Sequence, residues 1–122
     1  WFQSDLISFN KIAAIVKSAE IVNGSVAIAI NPKREKDTSI VCAKAADELL
    51  TISDITASFV LGDMGDKVCI SGRSIGDVNV QVILEKLGGG GHITLAGAQV
   101  EGKDIEEVKG ELIGCIAEYF SG

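Results

Sequence analysis

The chain has 122 residues, of which 47% are hydrophobic and 23% charged. That balance fits one folded domain of about 100–150 residues and excludes disordered and collagen-like classes. The net charge of −6 argues against a long nucleic-acid partner, which would need several Lys and Arg to displace counterions from its phosphates.

Any phosphate ligand must therefore be held by a local site. No apolar run reaches the ~18 residues of a membrane span. The longest apolar stretch, Leu6 to Val22, is broken by Asn10, Lys11, Lys17 and Glu20. No signal-peptide pattern is present, and a chain that begins at Trp1 reads as a piece of a longer protein. Cys42, Cys69 and Cys115 lie far apart in apolar contexts. Their odd number and unpaired spacing argue against a disulfide framework and against zinc, leaving buried free thiols in a reducing cytosol.

In chain order, Leu6, Phe9, Ile12, Ala13, Val16 and Ala19 recur at helical spacing, which predicts a helix from about Asp5 to Ala19. Asn23-Gly24 is a turn signal. Ser25–Ile30 is short and β-branched and is stopped by Pro32, so it reads as an interior strand. Lys33 to Lys36 reads as a solvated charged loop, with phosphate steering as the alternative. Asp37, Thr38 or Ser39 can cap a helix running to about Thr51.

Ile55–Leu61 alternates as a strand, Gly62, Asp63 and Gly65 make a turn, and Lys67–Gly72 pairs back as a hairpin. Asp63 and Asp66 fit turn chemistry better than acid–base catalysis. Asp77 can cap a helix with the stripe Val80, Ile83, Leu84 and Leu87, and Gly88 can end it in the left-handed conformation. Ile93–Glu101 contains another strand. Asp104 with Glu107 resembles a capping box that opens a last helix bearing Ile105, Val108, Leu112, Ile116 and Tyr119. The order α-β-α-β-β-α-β-α, without internal repeat, predicts a single α/β domain with a mixed β-sheet packed with helices.

The segment Gly88-Gly89-Gly90-Gly91-His92 exceeds what folding requires. A helix C-cap needs one glycine, and each further one in ordered structure costs about 0.5–1 kcal/mol relative to Ala. Such a run lets backbone approach a ligand, and successive amides can turn inward as an anion-binding nest. His92 could donate to a phosphate oxygen or stack on a base. A flexible loop with an exposed His92 is the plain alternative. The run is neither a phosphate-binding P-loop, since no Lys-Ser/Thr follows, nor a dinucleotide fingerprint, since it follows a helix.

Upstream, Arg73 offers a planar fork for phosphate, Ser74 a hydroxyl and Asn79 an amide. A helix over Asp77–Leu87 would be ~16 Å long and would set Arg73 and the glycine loop at opposite ends, unless the sheet edge folds them together. Trp1, Phe2 and Phe9 read as docking or core residues and not as base-stacking platforms.

Arg73-Ser74-Ile75-Gly76-Asp77-Val78-Asn79-Val80-Gln81, then Glu85 to His92, then Ala96-Gly97-Ala98-Gln99 resemble the DHH-associated domain of RecJ-like DHH phosphoesterases. The likeness runs from about residue 25 onward and is greatest to the membrane-anchored bacterial cyclic-di-AMP phosphodiesterases. It implies a substrate-binding domain spanning 1–122, with 1–24 as a linker helix leading in. A preceding DHH domain in the parent protein would hold two divalent metals, typically manganese, that activate water. Gly89, Gly90, Gly91 and His92 would hold a phosphate or nucleotide. Arg73, Ser74 and Asn79 would contact its other end, with His92 positioning the ligand or stabilising charge.

No Asp-His-His motif is present in the chain, so the resemblance implies no catalytic residue, cofactor or metal here and no hydrolysis by this piece alone. The ligand it implies is a cyclic or short linear dinucleotide. The domain itself would be cytoplasmic and without direct membrane contact, in a parent that is membrane-anchored and open to homodimer formation. The alternatives are the matching domain of a nanoRNA exonuclease, a non-enzymatic nucleotide-sensing module, and a structural or dimerisation domain.

Overall fold

The computed structural model describes residues 2–122, with side chains from Asp5 onward. The elements are α1 (Phe2–Lys17), β1 (Glu20–Val22), β2 (Val26–Asn31), α2 (Thr38–Leu49), β3 (Ala57–Asp63), β4 (Lys67–Ser74), α3 (Val80–Glu85), β5 (Gly90–Gly91), β6 (Leu95–Glu101) and α4 (Ile105–Ser121). The predicted succession is present, with β1 and β5 added as short strands. The expectations for Trp1 and for the side chain of Phe2 fall outside the described residues.

The strands form one six-stranded sheet in the order β1-β2-β3-β4-β6-β5. β2 and β3 pair in parallel, and the other neighbours pair antiparallel. Asn23 and Gly24 take φ of 50° and 84° and turn β1 into β2, which is why a turn signal precedes the first predicted strand. β3 is buried on both faces except at its last residue and so reads as a nearly unbroken apolar run.

Alternation along the strands divides the core into two layers. Val26, Ile28, Phe59, Leu61, Ile70 and Ala98 face α3 and α4, where Val80, Leu84, Val108, Leu112 and Ile116 meet them. Ala27, Ala29, Val60 and Cys69 face α1 and α2, against Ile15, Val41, Cys42, Ala45 and Leu49. Phe59 is fully buried, and losing such a ring costs about 3–5 kcal/mol. On the α1/α2 side the helices cover β2 to β4 only. Leu95, Gly97, Gln99 and Glu101 of β6 remain exposed there, and this open flank holds the candidate site.

Helix α3 is shorter than predicted. Asn79, not Asp77, is its N-cap: Asn79 is extended, and its side chain accepts from the Val82 N–H at 3.1 Å. Asp77 lies in the exposed loop before it. At the other end Gly88 has φ of 84°. The Gly88 N–H reaches Glu85 O at 3.1 Å and the Gly89 N–H reaches Leu84 O at 2.8 Å, the paired bonds of a Schellman motif. Asp104 caps α4 as predicted, accepting from the Glu107 N–H at 2.9 Å. Asp63 plays its turn role, accepting from the Gly65 N–H at 2.8 Å while pairing with Arg34 at 2.9 Å.

Candidate functional site

The glycine run is an ordered turn that docks on β6. A Cβ on Gly89 would sit 2.2 Å from Gly97 O, and one on Gly91 would sit 2.4 Å from Leu95 O, where φ is also +145°. Folding therefore requires glycine at 88, 89 and 91. The His92 N–H donates to Leu95 O at 2.7 Å and the Leu95 N–H returns to His92 O at 3.3 Å, closing a β5–β6 hairpin. The amides of Gly88, Gly89 and His92 are thus spent inside the protein and do not form the inward-facing nest that the sequence suggested.

Gly90 is different. A Cβ there would meet nothing within 4 Å, and its φ lies outside the left-handed region. Its register partner on β6 is Gly97, where a Cβ would approach only Ile70 O, at 3.3 Å. Neither position needs glycine for its backbone conformation. Together they leave a bare patch of main chain.

That patch belongs to a cleft of about 540 Å³ lined by Ser39 of α2, Cys69, Ile70 and Ser71 of β4, Gly88 to Gly90, and Gly97, Ala98 and Gln99 of β6. None of these side chains is a cation. Antiparallel register arranges the floor in rows: Cys69 opposite Gln99, Ser71 opposite Gly97, and Arg73 opposite Leu95. Directly opposed residues share a face, so Ser71, Arg73, Gly97 and Gln99 all belong to the open side of the sheet.

The third row joins two of the sequence-selected residues. Arg73 pairs with Leu95 across β4–β6, and Leu95 bonds His92 across the hairpin. Arg73 and His92 therefore occupy one end of the same open flank and are not separated by the length of a helix. Arg73 Nε donates to Asp47 Oδ1 at 2.8 Å and its Nη1 to Gly72 O at 2.9 Å. Asp47 is 63% exposed while the Arg73 side chain is 13% exposed, so water reaches the pair from the carboxylate side and the guanidinium is largely covered. His92 is exposed.

Ser74 and Asn79 are not brought to this flank. Ser74 is buried at the end of β4 and falls on the other face by alternation. Its hydroxyl donates to Ile93 O at 3.4 Å and accepts from the Gly76 N–H at 3.2 Å. Asn79 caps α3, and its backbone N–H donates to the Tyr119 hydroxyl at 3.0 Å. Both shape the segment between β4 and α3.

Ser39, Ser71, Gly97 and Gln99 were not singled out as site residues from sequence. The usable signal was small or polar residues at alternate positions of two strands, on the face that should have been apolar had a helix covered it. Cys42 and Cys69, distant in sequence, also meet. A Cβ on Gly62 would come 2.7 Å from Cys42 Sγ and 3.1 Å from Cys69 Sγ. The neighbouring Cys42 thiol holds Cys69 below its usual range, while the same neighbour and burial push Cys42 up.

Among the described residues, no group of three or more His, Cys, Asp or Glu is placed to hold a metal ion. No described helix is long and apolar enough to cross a membrane.

The DHHA1 domain model matches residues 23–118. This chain belongs to the DHHA1 family. A cyclic-di-AMP phosphodiesterase of Geobacillus thermodenitrificans is 42% identical to the domain over 121 residues, covering 98% of this chain and 18% of that protein. One from Listeria monocytogenes is 39% identical over 123 residues, covering 100% of this chain and 19% of that protein. The chain thus spans less than a fifth of the length of these two relatives. The fold recurs in an exopolyphosphatase-related protein from Bacteroides fragilis, with a TM-score of 0.76 at 18% identity, over 92% of this chain and 34% of that one. The DHHA1 domain of this chain is accordingly homologous to those of cyclic-di-AMP phosphodiesterases.

Proposed function

We propose that this DHHA1 domain is the substrate-recognition half of a phosphodiesterase that opens cyclic-di-AMP to a linear dinucleotide. The open flank of β4, β6 and the glycine loop is the surface that grips the ligand. The supporting observation is the pair Gly90 and Gly97. Neither backbone conformation nor packing demands glycine at 90, whereas a Cβ at 97 would press on Ile70 O at 3.3 Å; both line a cleft whose space a side chain at Gly90 would occupy. Arg73 and His92, at the end of that flank, supply a guanidinium and an imidazole to a phosphate. Ser74 and Asn79 act at a remove, by fixing the segment that follows Arg73.

The cutting chemistry belongs elsewhere in the whole protein. The family likeness points to a preceding DHH domain that holds two divalent metals, manganese being the typical pair, and to a membrane-anchored parent with this domain on its cytoplasmic side. Bound divalent metals would activate the attacking water and neutralise charge at phosphorus. This chain's own residues bind and orient the dinucleotide.

Calorimetry of this chain with 5′-pApA tests the reading. Weak binding is expected, weakened further in His92→Ala, whose side chain is exposed and whose loss should leave the fold intact. Equal affinities of the two proteins for 5′-pApA would remove His92 from the site.

A further inference from the structure

We propose that the Gly90–Gly97 cleft takes the nucleobase and not a phosphate, and that the Gln99 carboxamide reads an adenine edge there. This deepens the dinucleotide reading above and rests on it. The cleft lining contains no cation, in a chain whose net charge is −6. A phosphate placed there would lose hydration without gaining an opposite charge. A neutral heterocycle has no such cost.

The lining has what a base needs. Gln99 is exposed on β6 and presents a donor and an acceptor side by side, the pattern complementary to the N6 donor and N7 acceptor of adenine. Ser71 and Ser39 add hydroxyls that can donate or accept. Between Gln99 and the loop, Gly97 and Gly90 pair without side chains, leaving a flat strip of backbone on which a ring can lie.

The sheet register then places the phosphate. Arg73 follows Ser71 by two residues on the same face of β4, so it lies about 7 Å farther along the strand. His92 closes the hairpin on that same row. A nucleotide with its base over Gly97 would direct its phosphate toward Arg73 and His92, where phosphate can displace the water-exposed Asp47 carboxylate. Base and phosphate are thereby divided between two adjacent rows of one sheet.

Amide chemical shifts of the labelled chain separate the two rows. Adenosine, which carries no phosphate, is expected to move Ser71, Gly90, Gly97, Gln99 and the Gln99 side-chain amide. Ribose 5-phosphate is expected to move Arg73 and His92 and to leave Gly90 and Gln99 unmoved. Gln99→Ala should weaken adenosine binding about tenfold, the worth of one paired amide edge. The same variant should erase a preference for 5′-pApA over 5′-pGpG. Ribose 5-phosphate shifting Gly90 and Gln99 while adenosine does not would overturn the base assignment. So would a Gln99→Ala variant with unchanged affinity and preference. If 5′-pApA moves the cleft but adenosine does not, the base assignment falls and the dinucleotide reading stands. If neither moves any of these residues, both fall.

Discussion

Gly89 lies so close to Gly97 that a Cβ on it would come 2.2 Å from the Gly97 carbonyl oxygen, whereas a Cβ on Gly90, the next residue, would touch nothing within 4 Å. Adjacent glycines in one run thus answer to different demands, one from packing and one from space left open. Gly89→Ala should lower stability by about 1–3 kcal/mol, because the obstruction is backbone and cannot rotate away. Gly90→Ala should stay within about 0.5 kcal/mol of the parent chain. Urea unfolding of both variants checks the contrast. A destabilised Gly90→Ala would mean that folding, not a ligand, keeps position 90 bare.

The cap assignments can be tested in the same way. Asn79 accepts from the Val82 N–H and Asp104 from the Glu107 N–H, so Asn79→Ala and Asp104→Ala should each cost about 1 kcal/mol. Asp77 lies outside α3, and Asp77→Ala should change stability by less than about 0.5 kcal/mol. Denaturation midpoints that ranked Asp77→Ala below Asn79→Ala would return the cap to Asp77.

These contrasts show how far the sequence could be read. Signals carried by neighbouring residues were legible: the Asn23-Gly24 turn, the β3–β4 hairpin around Asp63 and Gly65, the left-handed Gly88 and the Asp104 cap. The start of α3 was not, since Asp77 and Asn79 are both good capping residues and backbone angles alone decide between them. Strands as short as β1 and β5 carry too few residues for an alternation to register. The cleft was hidden for a further reason. It depends on β6 returning to β4 so that Ser71 meets Gly97 and Arg73 meets Leu95, a long-range register that local periodicity does not encode. The same holds for Cys42, which reaches Cys69 only because α2 crosses β4.

The two thiols should differ in reactivity. Cys69 is 5% exposed and lines the cleft, whereas Cys42 is fully buried. The two neighbouring thiols share one negative charge unequally, with Cys69 lowered and the more buried Cys42 raised. A lowered thiol gains reactivity as pH rises through a value under the ordinary thiol pKa of about 8.5. In a Cys115→Ser background, iodoacetamide should modify Cys69 before Cys42, with a rate that climbs below that ordinary value. Saturating 5′-pApA should slow the reaction by covering the cleft wall. Peptide mapping that found Cys42 modified first would contradict the arrangement.

The account turns on the cleft beside Gly90 being the seat of the dinucleotide, and Gly90→Leu puts a side chain into that cleft from a position where a Cβ meets nothing within 4 Å. Calorimetric titration of this variant with 5′-pApA, alongside its urea unfolding curve, is the most direct measurement. The expected result is an unchanged unfolding midpoint with affinity reduced at least tenfold, a difference of about 1.4 kcal/mol. A variant that folds normally and binds 5′-pApA as tightly as the parent chain would contradict it.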